Sequence, residues 1–326
     1  MHAQPSLERP KLELELHLVR QVRPAVESRC RRTPMRRAST RLGASETWLK
    51  LECEQVTGSF KVRGPLALRS LLVDPRRWVT ASAGNHGLGV AYALRGVTPS
   101  PLVFVPRTSP QVKREAIAGL GATIRIVDTT SYDEAEDTAR SWAAAEDARF
   151  VSPFDDPAIM AGNGGTLGLE ILEQQPQVAS LVVPVGGGGL IAGIACVMRA
   201  LRPRVHILGV QSEATPAMVE SRQKRRALLR HTGPPTLAEG LEGGVSQQSF
   251  ELVERWVDDL RLVPETSIAA AMRWLWREEG LRVEGSAAVG VAALLDGVRL
   301  PGPVCVVLTG RNVDDATWNR VLTATP

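Results

Sequence analysis

The sequence predicts an α/β fold in which helices cover buried parallel sheets, and three observations support this. The chain has 326 residues, of which 44% are apolar, enough for two packed units or one large α/β body. Aromatic residues make up only 4%, which disfavours an aromatic-rich β-sandwich. Short apolar segments alternate with helical ones, which is typical of βα units in parallel sheets.

Taken in order, the segments of the chain keep this alternation. Residues 12–19 (LELELHLV) alternate and fit either a short strand or the start of a helix. In the first half, strands are predicted at 47–54, 78–82, 101–106, 122–128 and 149–154, and helices at 61–72, 88–94, 109–121 and 132–146. In the second half, helices are predicted at 163–174, 186–201, 268–280 and 287–297, and strands at 180–185, 205–211 and 303–310. The polar, Gly- and Pro-rich segment 212–248 is predicted to be a loop, either mobile or lining a site.

The charge pattern does not favour nucleic-acid binding. Lys and Arg number 39 against 35 Asp and Glu, and part of the excess lies at 29–37 and 222–230. Neither run is interleaved with the aromatic residues that stack on bases. We expect both to be solvated faces, the alternative being a basic cleft that attracts an anionic ligand.

Cysteines and hydropathy indicate a cytoplasmic protein without a membrane partner. Cys30, Cys53, Cys196 and Cys305 are far apart and form no CxxC or Cys/His cluster, which argues against a zinc site and a disulfide framework. No run of about 18 apolar residues occurs, and the N-terminal residues have no signal-peptide core.

A glycine-rich loop follows the strand predicted at 180–185. Gly186, Gly187, Gly188 and Gly189 lead directly into a predicted helix, where free N–H groups can bind a phosphate. No Gly-Lys-Ser/Thr of a Walker loop follows, and the next strand ends at Gln211 instead of an acidic residue, which disfavours a nucleotide-binding Rossmann protein. A tight, closely packed turn is the alternative interpretation.

Two further motifs complete a chemical pattern. Ser82, Asn85 and His86 lie in a strand-to-helix turn (ASAGNHGLG, 81–89) whose donors suit a carboxylate, although a capped Asn-containing turn would look the same. Lys61 follows the turn-like Thr-Gly-Ser-Phe of 57–60, a setting that a surface charge does not need. A lysine with a pKa lowered by burial can bond to an aldehyde. A cofactor with an aldehyde and a phosphate that acts on the carboxylate-bearing amino acids is pyridoxal 5'-phosphate, and the three motifs together indicate it.

With these motifs in view, the chain resembles the threonine/serine dehydratase family of fold-type II pyridoxal-phosphate enzymes from about residue 30 to 322. The resemblance implies two open, twisted, mostly parallel sheets with flanking helices, as in the tryptophan synthase β chain. It implies a large cofactor-binding domain (1–75 plus 151–326), a small inserted substrate domain (76–150) and a homodimer. The matching stretches are RTP (32–34), LKLECEQVTGSFKVRG (49–64), SAGNHG (82–87), PFDDPAIMAGNGGTLGLEIL (153–172), VPVGGGGLIAG (183–193), PTLAEGLEGG (235–244), EGSAAVG (284–290) and VVLTGRNVD (306–314).

The resemblance also implies a role for each residue of the site. Lys61 would hold the cofactor covalently and later act as the base at the substrate's Cα. Because Thr309 would offer the pyridine nitrogen a neutral hydroxyl, β-elimination would be favoured over transamination. The other cofactor contacts would be Phe60 beside the ring, Asn85 on its hydroxyl, Gly186, Gly187, Gly188, Gly189 and Leu190 on the phosphate, and Glu284 near the ring. Ser82, Asn85 and His86 would hold the substrate carboxylate, with Ala83 and Gly240 also beside the substrate.

The chain departs from the family pattern at several positions. Ala83 stands where serine racemases of the family carry a second serine, so we rank racemisation below dehydration. Gln211 and Ala217 replace two carboxylates that bind Mg²⁺ or Ca²⁺ in many relatives, so no metal is predicted, with Glu213 as the one residue that would rescue a site. Arg311 and the stretches 277–285 and 289–294 resemble the branch associated with hydroxyectoine utilisation.

The sequence therefore predicts a catabolic enzyme that eliminates the β-hydroxyl of a hydroxy amino acid such as L-threonine or L-serine and yields a 2-oxo acid and ammonia. The catabolic role is an expectation from the chain's ending soon after Asn312, with no regulatory domain appended. The alternatives are a hydroxyectoine-pathway dehydratase, an amino-acid racemase and a β-replacement enzyme. A non-catalytic protein that binds an amino acid or the cofactor is a further alternative, which the presence of Lys61 disfavours.

Overall fold

The computed structural model of the chain describes residues 13–39, 42–43, 45–72 and 74–323. The strands in these ranges are β1 (Met35–Arg37), β2 (Thr47–Lys50), β3 (Trp78–Ala81), β4 (Leu102–Pro106), β5 (Thr123–Val127), β6 (Arg149–Phe150), β7 (Ser180–Pro184), β8 (His206–Ser212), β9 (Asp259–Val263) and β10 (Val304–Val307). The helices are α1 (Leu16–Glu27), α2 (Arg63–Leu71), α3 (Asn85–Ala93), α4 (Gln111–Gly119), α5 (Tyr132–Ala145), α6 (Pro157–Met160), α7 (Thr166–Gln174), α8 (Gly189–Leu201), α9 (Ala217–Lys224), α10 (Gln247–Trp256), α11 (Glu265–Glu279), α12 (Gly285–Leu295) and α13 (Asp315–Thr323).

The larger sheet has the strand order β1-β2-β10-β7-β8-β9 and is parallel except for the pair β1 and β2. Its central strands β7 and β10 read SLVVP and VCVV, and every residue in them is buried. Such continuous apolar runs are expected in parallel strands that are covered on both faces. Helix α12 lies on one face, where its Ala and Val side chains join those of β10 in one core.

The smaller sheet has the order β5-β4-β3-β6, is parallel throughout and draws all four strands from residues 78–150. Helix α5 covers one face with Ala135, Ala139 and Ala143, which recur every four residues along one side of the helix. Ile117 of α4 packs on the opposite face against Val103 of β4. The α/β fold with two mostly parallel sheets and flanking helices is therefore confirmed. The division into domains at residues 76 and 150 stays a prediction.

Several elements differ from the sequence prediction. Residues 16–19 of the alternating N-terminal segment are helical in α1, and residues 1–12 lie outside the described ranges. The strand predicted at 47–54 ends at Lys50, because residues 52–54 form a 3-10 turn, and the strand predicted at 149–154 ends at Phe150. Elements that were not predicted are β1, β9, α6, α9, α10 and α13.

A π-helical turn, Ala161–Gly165, brings three helices unusually close together. A Cβ on Gly164 would collide with the carbonyl oxygen of Leu190 in α8, and a Cβ on Gly193 would collide with that of Met160. From the same turn, Asn163 accepts a hydrogen bond from the backbone N–H of Gly64 in α2 (2.7 Å). The turn therefore fixes α2 and α8, the two helices that begin beside Lys61 and the glycine loop.

A buried ion cluster lies under α2. The guanidinium of Arg63 contacts Glu52 (2.7 Å) and Glu170 (2.8 Å), and Glu170 also accepts a hydrogen bond from Lys50 (2.7 Å). Thr33 donates a further hydrogen bond to Glu52 (2.6 Å). Two cations and two anions balance in this interior, which is what burial of charge requires. Since Arg63 lies two residues after Lys61, the cluster fixes the chain next to the site.

Candidate active site

A single cleft of about 900 Å³ collects the residues that the sequence predicted to be functional. It is lined by Phe60, Lys61, Ser82, Ala83, Asn85, His86, Gly186, Gly187, Gly188, Gly189, Leu190, Gly240, Glu284 and Thr309. The carboxyl ends of β3, β7 and β10 supply most of them, which is where ligands bind in open parallel sheets. The structure brings these residues together, while the individual role of each one stays a prediction.

The backbone of Lys61 is held by the end of β10. Lys61 lies in a 3-10 turn, Phe60–Val62, and its own N–H donates to the hydroxyl of Ser59 (3.3 Å). Phe60 N–H donates to the carbonyl of Thr309 (3.1 Å), and Ser59 forms an isolated β-bridge with Gly310. These contacts place Lys61 and Thr309 on neighbouring walls of the cleft.

The amine of Lys61 lies in surroundings that favour its neutral form. Its Nζ is 3.5 Å from the carbonyl oxygen of Pro153 and 5.4 Å from the centre of the Phe60 ring. Burial lowers the pKa of Lys61 to about 8, while the carboxylate of Glu284 opposes the shift. Near pH 8 a large fraction of the amine is therefore unprotonated and able to act as a nucleophile or base.

The glycine loop forms an open anion site at the start of α8. Gly188 has a φ of +92°, a left-handed conformation that favours glycine, and α8 begins at the next residue. A Cβ on Gly187 would come within 2.5 Å of the Phe154 ring, so a side chain at this position would not fit. The bare loop and the positive end of α8 together suit a phosphate.

A second helix start lies across the cleft at the turn of residues 82–86. Ser82 N–H extends the pairing of β3 with β4 by donating to Phe104 O (3.1 Å), and the Ser82 hydroxyl accepts from Gly84 N–H (3.2 Å). Helix α3 then begins at Asn85, and Ala83 also lines the cleft. The turn presents backbone donors and suits a carboxylate.

His86 is neutral in this structure. The residue is 3% exposed and its Nε2 lies 3.1 Å from the carbonyl oxygen of Val151, to which it donates. Burial, aided by the nearby Lys61 cation, lowers the pKa of His86 to about 3. His86 can therefore support a carboxylate through its backbone N–H or as a neutral ring, and it brings no positive charge.

Asn85 is fixed by two neighbours at the cleft. Its Nδ2 donates to both carboxylate oxygens of Glu284 (2.9 and 3.0 Å), and its Oδ1 accepts from Asn312 Nδ2 (2.6 Å). Asn312 is held in turn by Thr57 O (2.9 Å). Burial raises the pKa of Glu284, although the hydrogen bond from Asn85 partly offsets the shift. These contacts set the orientation in which the Asn85 amide meets a ligand.

A further wall of the cleft, beside the glycine loop, is built from Gly240 and its neighbours. Gly240 N–H donates to the hydroxyl of Ser286 (2.9 Å), and a Cβ on Gly186 would lie 3.3 Å from the carbonyl oxygen of Gly240. The turn at Glu239–Leu241 therefore packs directly on the glycine loop. The segment 212–248 lines the cleft at Thr215 and over much of 229–246, so its site-lining interpretation is confirmed.

Sequence reasoning missed several residues of the cleft. Pro153 and Phe154 face Lys61 and the glycine loop, Asn312 fixes Asn85, and Ser286 holds Gly240. All four lie inside stretches that match the family, so their motifs were visible although their contacts were not. Thr215 had no such signal, because it lies in the irregular segment after β8.

Within the described ranges, no group of three His, Cys, Asp or Glu side chains is placed to hold a metal ion, and no helix is long and apolar enough to cross a membrane. All four cysteines have free thiols, and burial raises the pKa of Cys53 to about 12, which makes it a poor nucleophile.

Comparisons with known proteins agree with this geometry. A family model for pyridoxal-phosphate dependent enzymes matches residues 26–310. The L-threonine ammonia-lyase of Thermotoga maritima is 40% identical over 282 residues, which cover 85% of this chain and 70% of that protein. The crystal structure of the T.th. threonine deaminase has a TM-score of 0.85 and 33% identity, covering 92% of this chain and 99% of that one. Maize serine racemase has a TM-score of 0.84 and 25% identity, with 95% and 97% covered.

Proposed function

The chain belongs to the pyridoxal-phosphate dependent enzyme family, and on this premise we propose that it eliminates the β-hydroxyl of a hydroxy amino acid such as L-threonine or L-serine. The products would be a 2-oxo acid and ammonia. The family match confirms the predicted family and cofactor, and relatives named L-threonine ammonia-lyase support the proposed reaction. The observation that carries the proposal is the placement of Lys61, with its lowered pKa, in one cleft with the glycine loop.

The cleft fits pyridoxal phosphate. Lys61 supplies an amine for its aldehyde, and the loop Gly186–Gly189 leaves room for its phosphate at the positive end of α8. When bound, the cofactor withdraws electrons from the substrate's Cα. Asn85, fixed by Glu284, would bond the ring hydroxyl through its side-chain amide, and Thr309 would offer a neutral hydroxyl to the ring nitrogen.

The protein's own groups would then bind the substrate and move a proton. The turn at residues 82–86 holds the substrate carboxylate with backbone N–H groups. Lys61 Nζ, which is about half neutral at pH 8, takes the proton from Cα. Phe60 and Phe154 border the same space and would help to exclude water from the reacting atoms.

Racemisation is the second candidate, and the likeness to maize serine racemase favours it. A racemase needs an acid/base on each side of Cα. Ala83 lies in the substrate turn and has no hydroxyl to move a proton. We therefore rank elimination first, and we expect a variant Ala83→Ser to gain racemisation relative to elimination.

Product analysis tests the proposal. The purified enzyme is incubated with L-threonine, L-serine and longer hydroxy amino acids, with and without an added thiol, and 2-oxo acid, ammonia, the D-enantiomer and β-substituted products are measured. Elimination predicts equal amounts of 2-oxo acid and ammonia, and Lys61→Ala should lose them. If the D-enantiomer were the main product, racemisation would replace elimination as the proposed reaction. If a β-substituted product dominated, β-replacement would do so. If the Lys61→Ala variant released the same amount of product as the wild type, the product would not come from chemistry at Lys61. That result would favour a non-catalytic binding protein.

The physiological setting is a further part of the proposal. We propose a homodimer in the cytoplasm that acts in amino-acid catabolism without a metal ion. The hydroxyectoine-branch substrate stays an option that the substrate panel covers. Light scattering of the purified protein checks the dimer, and activity after dialysis against a chelator checks the independence from metal.

A further inference from the structure

We propose that the hydroxyl of Thr215 is an additional ligand of the cofactor phosphate, and that Gln211 is the residue that positions it. The inference rests on the cofactor and is independent of whether the reaction is elimination or racemisation. It adds a side-chain donor to a phosphate site that would otherwise consist of the backbone N–H groups of Gly186–Gly189 and Leu190.

Thr215 and the glycine loop leave the same edge of the larger sheet. Strands β7 and β8 are parallel neighbours with Pro184 opposite Val210, and Val185 N–H donates to Val210 O (2.9 Å). The chain after β7 becomes the glycine loop, and the chain after β8 becomes the turn that contains Thr215. Both line the cleft.

The Thr215 hydroxyl is buried without a partner. The residue is 1% exposed, and among the residues that the structure describes none forms a hydrogen bond with its Oγ1. Buried hydroxyls are almost always satisfied by protein, water or ligand. An unused donor and the free N–H groups at the start of α8, a helix of 13 residues, are two independent features that suit the same anion.

The backbone around Thr215 is fully engaged, which leaves the hydroxyl as its free group. Thr215 N–H donates to Ser212 O (3.0 Å), and its carbonyl accepts from Gln211 Nε2 (3.1 Å). The Gln211 Oε1 accepts from the N–H groups of Met218 (3.1 Å) and Val219 (3.0 Å) at the start of α9. Gln211 is itself fully buried. One amide therefore ties the end of β8 to Thr215 and to α9.

The glycine loop and this turn also touch through α9. A Cβ on Gly188 would come within 2.7 Å of Met218 Cε, so Met218 packs directly against the loop. A change in the position of α9 would therefore move both Thr215 and the floor of the phosphate site. This contact explains why Gln211 would affect phosphate binding without touching the phosphate.

The test compares the binding of two aldehydes to the apoenzyme. Pyridoxal phosphate and pyridoxal share the ring and the aldehyde, and only the first has the phosphate. Apoenzyme is titrated with each one, and absorbance follows bond formation. We expect Thr215→Val to weaken the affinity for pyridoxal phosphate about tenfold or more, as for loss of a hydrogen bond to a charged group. The affinity for pyridoxal should change less than about twofold.

Matched variants keep the test interpretable. Thr215→Ser keeps the hydroxyl and should retain the wild-type preference for pyridoxal phosphate, and Thr215→Ala replaces Thr215→Val if the latter does not fold. An equal loss for both aldehydes, or no loss for either, would overturn the proposal while leaving the cofactor intact. Failure of the wild type to bind either aldehyde would overturn the cofactor assignment together with it.

A double-mutant comparison tests the role of Gln211. Gln211→Leu in the wild type should weaken the binding of pyridoxal phosphate more than the binding of pyridoxal. In the Thr215→Val background the same substitution should cause a smaller phosphate-selective loss, because only the effect of Gln211 on α9 and Met218 remains once the hydroxyl is gone. A selective loss of the same size in both backgrounds would show that Gln211 does not position this hydroxyl.

Discussion

Lys61 shows how a single side chain depends on its surroundings. Its ordinary pKa of 10.5 falls to about 8 because it is buried, and Glu284 limits the fall. Covalent bonding to an aldehyde requires the neutral amine, whose fraction rises as the pH passes through the pKa. The rate at which the apoenzyme binds pyridoxal phosphate should therefore rise with a midpoint near pH 8, measured by stopped-flow absorbance.

Glu284→Gln provides the control for this pH dependence. Removing the negative charge should move the midpoint below that of the wild type, since the carboxylate raises the pKa of Lys61. A wild-type midpoint at or above 10, or a variant midpoint above the wild-type value, would contradict the assignment of the shift to burial and Glu284.

The amide of Gln211 gives a second prediction for a single residue. Gln211→Glu removes the donor to Thr215 O and places two acceptors side by side in the interior. We expect the free energy of unfolding to fall by about 1–3 kcal/mol, as for a buried group left unsatisfied. Thermal and urea unfolding measure it.

Gln247→Glu is the matched control for this substitution. Gln247 also donates to an oxygen, that of Glu251 (2.7 Å), but on the protein surface. Loss of this hydrogen bond should lower the free energy of unfolding by less than about 0.5 kcal/mol. Equal destabilisation by the two variants would show that burial of Gln211 does not determine the cost.

Among the secondary-structure elements, the contact between the π-helical turn and α8 is the tightest feature near the site. Gly164→Ala would place a Cβ against the carbonyl oxygen of Leu190. The backbone must shift to accommodate it, so we expect a loss of about 1–3 kcal/mol in stability and weaker cofactor binding.

Gly119→Ala is the control for this prediction. Gly119 is also helical, and a Cβ there meets no atom of the described chain within 4 Å. Its replacement should be neutral or slightly stabilising, since alanine favours helix. Unfolding curves of both variants decide the comparison, and equal losses would contradict the packing explanation.

The secondary structure was predictable where burial is uniform along a segment. β4, β7 and β10 are fully buried, so their apolar runs identified them. β9 (DLRLV) lies at a sheet edge and is partly exposed, and α9 (AMVESRQK) is mostly polar, so neither carries a strong periodic signal. These elements depend on tertiary neighbours that the local sequence does not reveal.

The site was predictable to the extent that its residues belong to local motifs. The glycine loop, Lys61 and the turn at 82–86 each lie within one short stretch whose chemistry is visible in the sequence. The pair of Asn85 with Asn312 joins residues 227 positions apart. The hydroxyl of Thr215 is recognisable only in the folded chain, where none of the described residues forms a hydrogen bond with it. Such features arise only when the chain is folded.

For the molecule as a whole, the buried ion cluster joins the N-terminal segment, β2, α2 and α7. Arg63→Met would leave Glu52 and Glu170 without their shared partner. Breaking a buried pair costs about 3–5 kcal/mol, so we expect cooperative unfolding at a clearly lower temperature. Calorimetry measures the change.

The surface pair of Lys224 with Glu220 provides the comparison for Arg63. Both of its side chains are partly exposed, and the pair is of the i,i+4 type. Lys224→Met should lower the free energy of unfolding by less than about 1 kcal/mol. A similar cost for Arg63→Met would mean that the cluster does not support the global fold.

The most direct measurement is an absorbance scan of the purified protein before and after addition of L-threonine, with 2-oxo acid followed in parallel. We predict a visible band from the cofactor bound to Lys61, absent in Lys61→Ala, which changes on adding L-threonine as 2-oxo acid appears. A protein that shows no such band, even after pyridoxal phosphate is added, would contradict the assignment of this cleft as the cofactor site.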